Sequence, residues 1–243
     1  MSAYFPLLAC LLLPPNASPQ ALLVAAASDL APLEKPLRAG FSRHTGLDVN
    51  FSFGSSGMLA RQIANGAPFD VFLSANEQFV DQIEQQGFVS PGRRAVYAEG
   101  RVGLWSPSGA VRTLAALTAP GLRHIAIPNP KHAPYGLAAR ELLQAASLWD
   151  SLQSRLVLAE NVRQAFEYAS TGNAEAVLTS WTLIHDKGGV LLPPNHAPLR
   201  QTAAQLKSVR DPSQAARFLD FLLSPAGRDI LTRGGLFPPA RRK

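Results

Sequence analysis

Residues 53–76 read FGSSGMLARQIANGAPFDVFLSAN. Gly54-Ser55-Ser56-Gly57 is a turn of small residues. Leu59 and Ile63 lie four apart, on one face of a helix that follows it. Gly66 and Pro68 end that helix, and residues 69–74 form a mostly apolar run. Such a run is typical of a strand buried on both faces of a parallel sheet. A helix start carries unpaired N–H groups and a partial positive charge. Hydroxyls and glycines there let a ligand approach the backbone, so the turn fits an anion site. It equally fits a plain serine cap.

The same grammar precedes it. Residues 22–27, LLVAAA, read as a short apolar strand running into Ser28-Asp29. Leu30, Leu33, Leu37 and Phe41 then keep helical spacing. Pro32 fits the first turn of that helix, whereas Pro36 has no explanation in the pattern. Residues 49–53 form a second strand that delivers Ser55-Ser56 at its carboxyl end. Ligands of open α/β sheets sit outside the carboxyl ends of strands.

The chain has 243 residues, enough for two lobes with cores of their own. Hydrophobic residues make up 47% and charged residues 16%, a globular and not a disordered composition. The net charge of +6 comes from scattered basic residues with one terminal cluster, Arg241-Arg242-Lys243. Without a basic stripe interleaved with aromatics, nucleic acid is not an expected partner. Residues 1–21 read as a secretory signal, with Leu7 to Leu13 as its apolar segment and a break at Pro14-Pro15. The mature chain is expected to begin near Ala21 or Leu22 after export. The single cysteine, Cys10, lies in the segment removed, which excludes disulfides and thiolate metal sites from the mature chain.

Further along, residues 94–105 read as a strand region carrying the chain into a second lobe. Strand 124–127 leads into the loop PNPKHAPYG, residues 128–136, which opens a helix at 137–148. Strand 156–158 leads into Glu160-Asn161-Val162 and another helix, and strand 176–180 follows. From about Gln201 a strand and two helices, 215–223 and 225–234, return to the first lobe. The reading is an α/β fold of two lobes, each a mostly parallel sheet flanked by helices. Lobe 1 comprises residues 22–102 and 201–243, and lobe 2 residues 103–200. Four strand-to-helix junctions then offer polar groups at Ser28, Ser56, Tyr135 and Val162, the last two through backbone N–H. None is Lys or Arg. A donor-rich site without cationic side chains suits a fully ionised oxyanion. Charge-assisted hydrogen bonds worth about 1.5–3 kcal/mol each can hold it.

Ala25-Ala26-Ala27-Ser28-Asp29-Leu30, residues 53–76, residues 128–136 and Ala159-Glu160-Asn161-Val162 together resemble the periplasmic molybdate-binding proteins of molybdate ABC transporters. The similarity runs from about Leu22 to Pro238. It implies a type II two-lobe binding protein, a monomer that captures molybdate or tungstate in the cleft between its lobes and delivers it to a membrane permease. It implies no enzyme activity, no cofactor and no metal coordinated directly by the protein. It also implies that Ser28 and Ser56 bind through hydroxyl and N–H, and Tyr135 and Val162 through N–H. Where one branch of the family has a ligating tyrosine, this chain has Ser180, so no fifth contact is assigned.

Asp29 is unexpected beside an anion. A helix-start carboxylate pointing away from the ligand is the simpler reading. The other is an acceptor for a protonated oxyanion, which would favour hydrogen phosphate. Another tetrahedral oxyanion, sulfate or phosphate, is the alternative ligand. A serine hydrolase is a more distant alternative, since neither Ser28 nor Ser56 lies in Gly-x-Ser-x-Gly and no histidine has a sequence reason to lie beside them. The five histidines are scattered without metal-ligand spacing and read as loop or surface residues.

Overall fold

The computed structural model describes residues 20–240. The expected signal segment and Arg241-Arg242-Lys243 lie outside the described residues, Gln20 and Ala21 excepted.

Strand β1 (Leu22–Ala27) is almost wholly buried, as its apolar sequence requires. A 3-10 helix (Ser28–Leu33) follows at once, then α1 (Glu34–Thr45). The single helix expected here is thus two helices, and the prolines account for it. Pro32 sits in the short 3-10 segment, and Pro36 falls in the first turn of α1, where its missing N–H would have had no partner. Strand β2 (Val49–Gly54), α2 (Ser56–Ala64), β3 (Val71–Ser74) and α3 (Glu77–Gln85) complete the first half-lobe. Strand β4 (Val89–Gly100) ends beside Arg101, and β5 (Val102–Trp105) already belongs to the second sheet.

The second lobe contains β6 (Ile125–Pro128), α4 (Pro134–Ala145), α5 (Trp149–Leu152), β7 (Leu156–Ala159) and α6 (Val162–Ser170). It closes with β8 (Ala176–Ser180), α7 (Trp181–Ile184) and β9 (Val190–Leu191). The chain then returns to the first sheet as β10 (Leu199–Leu206), followed by α8 (Pro212–Leu223) and α9 (Pro225–Arg233).

Each sheet has five strands, in the orders β2-β1-β3-β10-β4 and β7-β6-β8-β5-β9. The sheets are mixed and not mostly parallel. In the first, β1 pairs in parallel with β2 and β3, but β10 runs antiparallel to β3 and β4. In the second, β6 is parallel to β7 and β8, while β5 is antiparallel to β8 and β9. The antiparallel strands are those next to the two crossings between sheets, where the chain enters from the other lobe and not from a crossover helix.

Register brings the functional turns together. Ala27 pairs with Gly54, so Ser28 and Ser55-Ser56 leave the sheet side by side. Pro128 pairs with Ala159, so the loop before α4 and the turn before α6 emerge together from the other sheet. On the far face of the first sheet Phe41 of α1 meets Phe218 of α8 edge to face, at 5.1 Å between centroids. Such a pair adds about 0.5–1.5 kcal/mol beyond its buried area. The junctions thus stand on packed, rigid elements.

Candidate functional site

A small cavity lies between the lobes at these strand ends. It is lined by Ala27, Ser28, Asp29, Gly54, Ser55 and Ser56 from one lobe side, with Ala75. Ala133, Pro134, Tyr135, Asn161 and Val162 line it from the other. All four residues singled out by the sequence therefore reach one cavity. Ser180 does not line it; it caps α7, its Oγ accepting the Thr182 N–H at 3.3 Å and bonding Thr182 Oγ1 at 2.8 Å.

Local capping leaves the right groups free. Ser56 Oγ accepts the Ala75 N–H at 3.0 Å, so its own proton is available to a second partner. The Ser28 hydroxyl has no hydrogen-bond partner among the described residues. Helix α4 begins with Pro134, which has no N–H, so its first donor is Tyr135. At α6 the cap Asn161 accepts through Oδ1 from Arg163 N–H (3.0 Å) and Gln164 N–H (3.1 Å). Val162, the first residue of that helix, is left with its N–H unserved by the cap. The lining includes no Lys or Arg.

Asp29 is not a solvated helix-start residue. It stands in the first turn of the 3-10 helix, as expected, but its carboxyl is buried and borders the cavity. Oδ2 accepts the Tyr135 hydroxyl at 2.9 Å and Gln201 Nε2 at 2.7 Å. Gln201 Oε1 in turn accepts the Tyr97 hydroxyl at 3.1 Å. The Asp29 carbonyl accepts Thr182 Oγ1 at 2.6 Å. Burial raises the Asp29 pKa from 3.8 to about 7, against the lowering effect of the Tyr135 and Gln201 hydrogen bonds. Burial also holds the Tyr97 and Tyr135 hydroxyls well above the ordinary tyrosine range, with the nearby Asp29 charge adding to it. A Cβ at Gly100 would overlap the Tyr135 hydroxyl, so glycine is required where β4 passes this network.

The fold also brings a histidine to the serine turn. His132 Nδ1 and Ser55 Oγ are hydrogen-bonded at 2.9 Å, and the His132 carbonyl accepts the Gly57 N–H at 2.9 Å. Neither His132 nor Gln201 was assigned a role by the sequence. Gln201 carries little signal, since its strand, LRQTAAQL, also holds Arg200, Thr202 and Gln205. His132 carries none, because its partner lies 77 residues away. Among the described residues no group of three or more His, Cys, Asp or Glu is placed to hold a metal ion.

Residues 22–237 match the family model for bacterial extracellular solute-binding proteins. The chain belongs to that family. Among its relatives, the molybdate-binding protein ModA of Rhodobacter capsulatus is 35% identical over 219 residues, 88% of this chain and 87% of that protein. The solved periplasmic molybdate-binding protein of Azotobacter vinelandii superposes with a TM-score of 0.85 at 34% identity, covering 90% of this chain and 100% of that one. The sulfate-binding protein SubI of Mycobacterium tuberculosis, at 15% identity and a TM-score of 0.75, shares the fold; it covers 90% of this chain and 86% of its own. No helix among the described residues is long and apolar enough to cross a membrane.

Proposed function

We propose that this solute-binding protein captures molybdate, and tungstate with it, in the periplasm and delivers it to the permease of an ABC transporter. The cavity lining carries this reading. Ser28, Ser56, Tyr135 and Val162 offer hydroxyl and N–H donors at four element starts, and no cationic side chain joins them. Fixed donors of this kind suit a dianion that brings no proton of its own. Molybdenum arrives as the oxyanion, so the protein needs no cofactor and no direct metal ligand. The protein works as a monomer. Its lobes exchange the chain one residue earlier than expected at the first crossing, at Arg101, and just before Leu199 at the second; they close about these two crossings and bury the anion. The two molybdate-binding relatives at 34–35% identity support the same reading.

A calorimetric titration panel of molybdate, tungstate, sulfate and phosphate tests it. Molybdate and sulfate carry equal charge, so a rigid donor ring separates them by size. Molybdate and tungstate are expected to bind, and sulfate in large excess is expected not to displace them. Equal competition by sulfate would leave a general oxyanion binder.

Asp29 supports a second reading. A carboxylate bordering the cavity can accept the proton of hydrogen phosphate. Phosphate binding tighter than molybdate in the same panel would select it. The Ser55–His132 contact is the one hydrolase-like feature, but it bears no carboxylate on the other ring nitrogen among the described residues. An activated ester should show neither burst nor turnover.

A further inference from the structure

Helix α2 lacks a cap of its own. Its N-cap residue is Ser55, a residue type that ordinarily turns its hydroxyl back onto the first-turn N–H groups. Here Ser55 makes no such bond. Its hydroxyl turns outward to His132 Nδ1 at 2.9 Å. The first-turn N–H that a cap would serve, that of Gly57, is taken by the His132 carbonyl at 2.9 Å. The loop between β6 and α4 thus caps, from lobe 2, a helix of lobe 1. Contact is direct: a Cβ at Gly57 would lie 2.8 Å from the His132 carbonyl oxygen and 3.0 Å from its Cα. Only glycine lets the loop rest there.

We propose that Ser55, Gly57 and His132 form a clasp that holds the lobes closed, with His132 as a positioning residue that sets how long the anion stays. The proposal rests on the oxyanion-binding reading. When the lobes part, the His132 carbonyl and ring leave together, and Ser55 can turn back to cap α2. Ser55 therefore exchanges one partner for another between the closed and open states. Ser55 lines the cavity, but the clasp's own hydrogen bonds run between the lobes, from Ser55 to His132 and from the Gly57 N–H to the His132 carbonyl. The clasp acts on release and not on encounter, since diffusional entry precedes closure.

The test uses the full mature chain loaded with molybdate and chased with excess tungstate, with release followed by stopped flow. His132→Ala and Ser55→Ala are each expected to release the anion about threefold to tenfold faster, the range for one neutral hydrogen bond, with the association rate unchanged. The double variant should be no faster than the faster single one, because both remove the same contact. His132→Asn, which can place an amide atom near the position of Nδ1, should restore most of the parent rate. Amide exchange at Gly57, read by NMR with and without anion, should quicken by a similar factor in both alanine variants. Unchanged release together with unchanged Gly57 exchange would overturn the clasp. If the parent binds no oxyanion, the function reading falls, and Gly57 exchange alone decides the clasp.

Discussion

Tyr135 reaches across the cleft and donates its hydroxyl to Asp29 at 2.9 Å, joining residues 106 apart in the chain. The tyrosine therefore has two separate tasks. It lines the cavity in the first turn of α4, where the oxyanion reading uses its backbone N–H, while its side chain ties lobe 2 to a buried carboxyl of lobe 1. Tyr135→Phe should keep the backbone N–H and lose the hydroxyl's bonds to Asp29 and Gln201. Its effect on binding should be smaller than that of a serine removed from the anion site, as titration of the variant would measure.

The carboxyl makes binding and stability depend on pH. Asp29 has its pKa raised from 3.8 to about 7 by burial. The folded chain thus binds this proton more tightly than the unfolded chain. The stability it contributes is fully present below about pH 4 and lost as pH rises through about 7, at most about 4 kcal/mol over the range. Asp29→Asn keeps an acceptor for Tyr135 and never ionises. Its melting temperature should therefore gain on the parent between pH 5 and pH 8. A bound dianion opposes ionisation further, so parent affinity should fall from pH 6 to pH 8 while the variant stays flat. At pH 6 the two should agree within about tenfold, roughly 1.4 kcal/mol. Parallel pH profiles would show that Asp29 does not ionise against the bound anion.

The serines separate by their partners. On the oxyanion reading, Ser28→Ala and Ser56→Ala each remove a cavity-lining hydroxyl that the anion uses, about 1.5–3 kcal/mol or roughly tenfold to a hundredfold in Kd. Ser56→Ala also strips the buried Ala75 N–H of its acceptor. It should lower the melting temperature of the unliganded protein, by about 1–3 kcal/mol in stability, whereas Ser28→Ala should not. Ser55→Ala should cost less affinity than either. A damaging Ser55→Ala beside a silent Ser56→Ala would shift the site by one residue.

Asn161 offers a test of the Val162 N–H. Asn161→Ala loses the α6 cap, about 0.5–2 kcal/mol of stability. Asn161→Asp keeps the cap but sets a negative charge at the cavity wall. It should weaken molybdate on the order of tenfold at unchanged melting temperature. Equal affinity for the parent and the aspartate variant would place the anion away from α6.

At the other end of β1, Asp70 braces the first sheet. Its Oδ2 accepts the Leu23 N–H at 2.7 Å, and Arg210 forks onto both carboxylate oxygens. Burial pushes its pKa up, but the Arg210 bonds and the Leu23 N–H outweigh that and hold it below 3.8. A depressed carboxylate stabilises above its unfolded pKa, and the contribution fades as pH falls through the folded one. Asp70→Asn should cost about 1–3 kcal/mol at pH 7, and the difference should shrink below pH 4, with anion affinity unchanged. A thermal denaturation series across pH reads this directly.

The local grammar of this protein was written in its sequence. Strand, hydroxyl and helix follow one another within a few residues at Ser28 and Ser56, and a turn precedes the helix at Val162; the helix read from residue 137 in fact begins at Pro134. Capping and strand burial act over a turn or a few residues, so short patterns determine them. Tertiary structure decided what those patterns could not contain. The antiparallel strands of each sheet follow from where the chain crosses between lobes. Asp29 reads as a helix-start residue until Tyr135 and Gln201, 106 and 172 residues away, converge on its carboxyl. Ser55 reads as a cap until His132 takes its hydroxyl. Hydrogen bonds between lobes depend on the packing of two separate sheets, and no spacing along the chain encodes that distance.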